Sequence, residues 1–277
     1  GGCIPQGWRC HYQGEVSIPG ISCETDTWWG QVIQHFGGHL VANASFSGST
    51  VEGFGFPAGC SPKRAQALLG KNGEKPQVVL VFMGINDYGW GSARNQVMGA
   101  SPSRSANPHD IGGQEPVLLT VGADALRNFE TAYATMLENI RNSAPHTQIW
   151  CLTLAPAVAD AAPYPDFIYS ARGIDLDEYN DVIRICAQKA HAHMADVRSF
   201  GIDYESVDNT HPSARGMKQL ATMVCAQMEG ASALPQAYPV LANAPKSTRH
   251  CGKNTCEGCP YSPITQESWI LTCGKNA

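Results

Sequence analysis

The chain reads as an α/β protein: a three-layer α/β/α domain around a central parallel sheet, followed by a Cys-rich C-terminal tail. Three observations carry this reading. Short apolar runs bounded by turn residues alternate with longer runs at helical spacing, the pattern of strands joined through covering helices. The strand runs are nearly continuous in apolar residues, as strands buried on both faces must be. With 277 residues, 43% of them hydrophobic, the chain can bury one large core and still carry an appendage.

The elements follow in order. "TWWGQVIQHF", residues 27–36, has helical spacing, and Glu24 and Asp26 just before it are expected to cap the helix. "GGHLVANASFSG", 37–48, and "PQVVLVFMG", 76–84, read as buried strands ending in small or turn residues. Residues 88–120 are rich in Gly, Ser, Pro and Asn and follow a strand end, so they are expected to wall a cleft. A helix over 125–144 presents Leu126, Phe129, Tyr133, Leu137 and Ile140 on one face. "TQIWCLTLAP", 147–156, is a third strand, and a weaker fourth lies around Met194 to Val197. Helical runs over 175–193 and 213–229 complete the alternation. His191 and His193, at i and i+2, point to opposite sides and read as solvated. Residues 231–263 turn rich in Pro and Ala, then Cys, which divides the chain into a domain over 1–230 and a linker with a Cys-rich segment over 231–277. No internal repeat is seen.

The net charge of −5, with 19 basic and 24 acidic residues and no basic run, gives no reason to expect nucleic acid or an anionic membrane as partner. No apolar run has the length of a membrane span, and "GGCIPQGWRC" is not a signal peptide. Many of the 11 cysteines sit in apolar settings such as "IWCLTL" and "IRICAQ", where a free thiol behaves as a small hydrophobe. A reducing, cytoplasmic compartment is therefore expected over secretion.

Three short stretches end a strand or precede a helix: "NASFSGST" at 43–50, "MGINDYG" at 83–89 and "DNTHP" at 208–212. Each alone reads as a strand-end loop, a turn, and a cap beside a surface histidine. In this order on these elements they resemble the SGNH hydrolases, the GDSL-type esterases and lipases, over roughly residues 1–228. "DTWWGQV" and "VEGFGFPAGCS" also resemble one bacterial branch of that superfamily. The resemblance implies a flavodoxin-like α/β/α fold. It also implies an oxyanion hole from the Gly48 backbone and the Asn86 side chain, and a catalytic acid and base at Asp208 and His211.

The chemistry of these residue types agrees. A tetrahedral acyl-transfer intermediate carries a negative oxygen, and a donor already aimed at it is worth about 3 kcal/mol. Gly48 has no Cβ to block close approach, and Asn86 donates without adding charge. A histidine base needs its other ring nitrogen held, which an aspartate three residues earlier on one loop can do. Pro212, next to Ser213 at the start of a helical run, would fix that loop's exit.

The nucleophile is the missing part. The resemblance implies a serine in a Gly-Asp-Ser block shortly before a stretch like "GGCIPQGWRCHYQGE", yet the sequence contains no Gly-Asp-Ser. Ser17 and Ser22 lie too far along, and Ser45 and Ser47 sit in the oxyanion block, where bonds to backbone suit them better. Three readings stand. The chain is truncated or processed upstream. Alternatively "SWILT", residues 268–272, fills the first-strand position and Cys273 or a neighbour approaches the nucleophile position. The third is a degenerate member that binds an acylated or glycan ligand without cleaving it. A cysteine beside a histidine is chemically adequate. Cys273 also fits a structural zinc site or disulfides with His250, Cys251, Cys256 and Cys259.

The sequence thus predicts hydrolysis of carboxylic esters with a small acyl group, acetyl esters of carbohydrates among them, with no cofactor required for the chemistry. Trp28, Trp29, Tyr88 and Trp90 are candidates for the cleft wall, with Trp28 and Trp29 also suited to packing a helix on the sheet.

Overall fold

A computed structural model of the chain describes residues 9–11, 15–46, 48–90, 120–159, 167 and 169–230. The first of these form an antiparallel pair, β1 (Arg9–His11) and β2 (Glu15–Ser17). Helix α1 (Trp28–His35) starts at Trp28, so neither Glu24 nor Asp26 is its cap. Asp26 instead closes the preceding 3₁₀ turn, Glu24–Asp26, by accepting from the Ser22 and Cys23 N–H groups at 2.7 and 3.0 Å. Thr27 caps α1 itself, its hydroxyl accepting from Gly30 N–H at 3.1 Å.

Residues 37–48, expected as a strand, form none among the described residues. A strand exists only with a partner, and Leu40, Val41 and Ala42 make no backbone hydrogen bond among the described residues. Helix α2 (Pro62–Gln66) follows, with proline in its first turn.

The sheet forms where the apolar runs predicted it. Strand β3 (Val78–Val81) leads into helix α3 (Ile85–Trp90), and helix α4 (Gly122–Ser143) returns the chain to β4 (Gln148–Leu152). Short strands β5 (Ala157–Val158), β6 (Ser170–Ala171) and β7 (Ile174–Asp175) precede helix α5 (Leu176–Lys189). Strands β8 (His193–Ala195) and β9 (Tyr204–Glu205) and helix α6 (Ala214–Met228) complete the order. Strands β3, β4 and β8 pair side by side and all parallel, with Leu80 opposite Trp150 and Trp150 opposite His193. Beyond the ends of β4 and β8, β5 and β9 form a second parallel pair.

Strand alternation sends side chains to two faces. On one, Cys151 meets Tyr133 of α4, and α4 packs against α5. On the other, Phe82 meets the Trp28 ring of α1 edge-on at 5.6 Å, and α1 packs against α6. Helices thus cover both faces of a parallel sheet, the α/β architecture expected. The core joins them: Phe129, Tyr133, Leu137, Ile149, Leu152, Tyr179 and Ile183 are almost fully buried. Each such side chain is worth about 1.5–3 kcal/mol of transfer free energy.

Two expectations about aromatic and histidine positions separate here. His191 and His193 are exposed as expected. Tyr88 does not line a cleft: it is fully buried, edge-on to the Tyr179 ring at 5.6 Å, because α3 turns it under the core. The side chain of Trp90, residues 91–119 and residues 231–277 lie outside the described residues. The Cys251, Cys256, Cys259 and Cys273 cluster and the 231–277 segment boundary fall there too.

Candidate active site

Four of the predicted site residues are described and form two groups: Gly48 with Asn86, the latter after β3, and Asp208 with His211 after β9. Both are parallel strands, and ligands bind beyond the carboxyl ends of such strands in open parallel α/β folds. The first group follows β3. Asn86, in the first turn of α3, donates from Nδ2 to the Ser49 carbonyl at 3.0 Å. That bond ties the amide to the loop beginning at Gly48, whose φ of +67° is a backbone state that glycine adopts without strain. Asn86 is buried and its Oδ1 has no hydrogen-bond partner among the described residues. One N–H of the amide nitrogen is thus held by Ser49 and fixes its plane, while the nitrogen carries a second N–H for another acceptor.

The residue after it does the strapping. Asp87 is fully buried, and its carboxylate accepts from Val51 N–H at 2.9 Å and Glu52 N–H at 2.8 Å. Burial pushes this carboxyl up from its ordinary range, against the pull of the two backbone N–H groups and the Arg172 guanidinium. Arg172 then holds α3 from the other side. It is 1% exposed, and its guanidinium donates to the carbonyls of Tyr88 at 3.2 Å, of Thr120 at 2.7 Å and of Asp87. It also donates to the Tyr179 hydroxyl, which itself donates to the Asp87 carbonyl at 3.1 Å. Arg172 sits with Gly173 in the two-residue turn between β6 and β7, both at positive φ, +53° and +74°. A non-glycine residue there costs on the order of 1–3 kcal/mol, held in place by the surrounding bonds. Neither Asp87 nor Arg172 was singled out from the sequence.

Asp87 gives a test of this strapping. Its folded-state pKa lies above the unfolded one, so the native state binds the extra proton. Stability then rises as pH falls through the interval from the raised value down to about 4. Asp87→Asn removes one of two buried acceptors and should cost on the order of 1–3 kcal/mol. The gap between wild type and variant in urea midpoints should be wider at about pH 4.5 than at pH 7.5. A gap independent of pH would mean that Asp87 is not held above its usual range.

The second group follows β9. His211 and Asp208 are both buried, and His211 Nδ1 stands 2.7 Å from Asp208 Oδ2. The other carboxylate oxygen accepts from the N–H groups of Thr210 at 3.1 Å and His211 at 2.8 Å. Burial alone would raise the Asp208 carboxyl, but the His211 ring and these hydrogen bonds outweigh it and hold the group below the usual carboxylate range. The loop is fixed from several sides. Asn209, at φ +64°, accepts from Ala159 N–H at 2.5 Å, and the Tyr204 hydroxyl donates to the Thr210 carbonyl at 2.6 Å. Pro212 bridges back to Ser206, and Ser213 caps α6 by accepting from Gly216 N–H at 3.1 Å. The loop exit is therefore set where the sequence placed it.

This arrangement can orient an imidazole with Nδ1 protonated toward a carboxylate, leaving Nε2 as the basic nitrogen. A pre-set amide stands on a strapped loop at the same end of the sheet. Cys273, the candidate nucleophile, lies outside the described residues, as does Ser47. Ser45 uses its N–H to bond the Asn43 side chain at 3.0 Å. Among the described residues no group of His, Cys, Asp and Glu is arranged to hold a metal ion, and no helix is long and apolar enough to cross a membrane.

A family model for the GDSL-like lipase/acylhydrolase family matches residues 6–219. No curated protein matches the chain. Among solved structures it is similar to an inhibitor-bound aryl esterase of M. smegmatis, with 17% identity and a TM-score of 0.49 over 83% of this chain and 95% of that one. A chain from Bacteroides uniformis described as a GDSL-like lipase shows 22% identity and a TM-score of 0.44 over 77% and 83%. A Corynascus carbohydrate esterase family 2 enzyme with a carbohydrate-binding domain shows 14% identity and 0.43 over 80% and 61%.

Proposed function

Because the chain belongs to the GDSL-like lipase/acylhydrolase family, we propose that it hydrolyses carboxylic esters with a small acyl group, acetyl esters of carbohydrates among them. The observation that carries the reading is the buried contact of 2.7 Å between His211 and Asp208 at the carboxyl end of the sheet. In this reading Asp208 accepts from the Nδ1–H of His211 and holds the ring in one tautomer. His211 Nε2 takes the proton of the attacking group, for which Cys273 is the candidate in this chain. It then returns the proton to the leaving alcohol, and water releases the acid in a second, mirrored step. The Gly48 N–H and the Asn86 amide receive the negative oxygen of the intermediate. The reaction draws on no cofactor, and a structural zinc at the tail cysteines is a separate proposal.

Chain-length preference tests the substrate class. With p-nitrophenyl esters, kcat/KM for the acetate should exceed that for the octanoate by roughly tenfold or more, since each poorly seated methylene forfeits binding that reaches the transition state. A preference for the octanoate would contradict the small-acyl reading. A second reading is a cleft that binds an acylated ligand without cleaving it. Binding of an acetylated oligosaccharide with no turnover of any ester would favour that reading.

A further inference from the structure

A second buried arginine grips the loop that carries Gly48. Arg64, the third residue of α2, is almost fully buried. One of its terminal nitrogens, Nη1, donates to the Ser49 hydroxyl at 3.1 Å and to the Pro57 carbonyl. The other, Nη2, donates to the sulfur of Met83 at 3.8 Å. Met83 lies between the end of β3 and Asn86. The guanidinium carbon stands 4.6 Å from the centre of the Phe46 ring, a cation–π contact.

These contacts bracket Gly48. Ser49 folds back on Phe46: its N–H and its hydroxyl both donate to the Phe46 carbonyl, at 3.2 and 2.7 Å. Gly48 lies between the two residues, so Arg64 holds the loop on both sides of it, by the ring of Phe46 and by the hydroxyl of Ser49. A hydroxyl has one proton to give. With that proton committed to Phe46, the Ser49 oxygen meets Arg64 as an acceptor, and the two bonds together fix its rotamer. The Ser49 carbonyl in turn receives the Asn86 amide at 3.0 Å. One chain of contacts therefore runs from the guanidinium through Ser49 to both donors proposed for the negative oxygen.

Among the described residues the partners of Arg64 are a hydroxyl, a carbonyl, a thioether and an aromatic ring, and none is a carboxylate. Burial draws the guanidinium down to about 10, which leaves it charged near neutral pH. A buried charge whose partners are all neutral is costly to keep, and a site where negative charge develops gives it a counterpart. From these contacts, and resting on the esterase reading for the identity of the anion, we infer that Arg64 is a positioning residue of the oxyanion hole. It fixes Phe46 and Ser49 around Gly48, and through Ser49 the Asn86 amide, in the arrangement that receives a negative oxygen.

Turnover of p-nitrophenyl acetate and the affinity for the ethyl methylphosphonate anion, measured on the full chain, test it together. Arg64→Gln should lower kcat by roughly 10 to 10²-fold with KM changed less than about threefold, because the loss falls on charge formed in the transition state. It should weaken phosphonate binding by about tenfold or more. Ser49→Ala leaves Arg64 its Pro57 and Met83 contacts and should cost kcat roughly tenfold by itself, but little more when added to Arg64→Gln, because the two side chains act as one unit. Wild-type kcat in a folded Arg64→Gln variant would overturn the inference, as would losses that simply multiply in the double variant. If Arg64→Gln does not fold, Ser49→Ala decides, and wild-type kcat in that variant overturns the inference. The esterase reading fails separately. An unmodified chain that cleaves no ester, yet binds the phosphonate about tenfold more tightly than Arg64→Gln does, would remove the hydrolysis and keep the role of Arg64. Turnover and phosphonate affinity both indifferent to Arg64 would do the reverse.

Discussion

Replacing His211 by alanine is expected to lower ester hydrolysis by a factor on the order of 10³ or more while the domain stays folded. In the proposed mechanism the ring both accepts and returns the proton. Asp208 fixes its Nδ1 side at 2.7 Å, so the ring enters the reaction already oriented. The backbone around it does not depend on the imidazole. Asp208 still accepts from the Thr210 and His211 N–H groups, Asn209 still holds Ala159, and Ser213 still caps α6. A circular dichroism spectrum like that of wild type, combined with loss of turnover, is the expected pair of results. Unchanged turnover in a folded variant would remove His211 from the mechanism.

The second large effect is expected at Asn86. Asn86→Ala should reduce kcat by roughly 10² to 10³ with little change in KM, because in the proposed mechanism its amide meets charge that forms only in the transition state. The Ser49 carbonyl holds one N–H of the amide at 3.0 Å, and the strap from Asp87 to Val51 and Glu52 keeps that carbonyl in place. No reorganisation is then needed when the oxyanion appears. Steady-state kinetics on a p-nitrophenyl acetate series separates the outcomes. An effect confined to KM would place Asn86 in ground-state binding instead.

Much of this architecture is legible in the sequence because it is local. The apolar runs of β3 and β4 and the spacing of Phe129, Tyr133 and Leu137 each declare themselves within a dozen residues. The "DNTHP" loop is local too: Asp208 reaches the His211 ring and N–H within one turn of chain. What was misread depends on distant partners. Residues 37–48 have the composition of a strand, but a strand needs a neighbour, and Leu40 to Ala42 find none among the described residues. Tyr88 looked like a cleft residue because it follows Asn86 and Asp87. Its burial comes from Tyr179, far along the chain. Asp87 and Arg172 were passed over for the same reason. One reaches back 35 and 36 residues to the Glu52 and Val51 N–H groups, and the other reaches 84 residues to the Tyr88 carbonyl. An Arg-Gly pair between two short β runs was the available signal for the turn at 172–173, and it marks the turn without revealing what the arginine holds.

The central claim is that Gly48, Asn86, Asp208 and His211 form one acyl-transfer site. A crystal structure of the full chain with a bound alkyl phosphonate tests it most directly, because the ligand carries the tetrahedral shape and the charged oxygen of the intermediate whichever nucleophile acts. The account predicts that oxygen about 2.7–3.1 Å from both the Gly48 nitrogen and Asn86 Nδ2, with the His211 ring within hydrogen-bond reach of the phosphonate. A phosphonate whose charged oxygen lies away from Gly48 and Asn86, remote from His211, would contradict it.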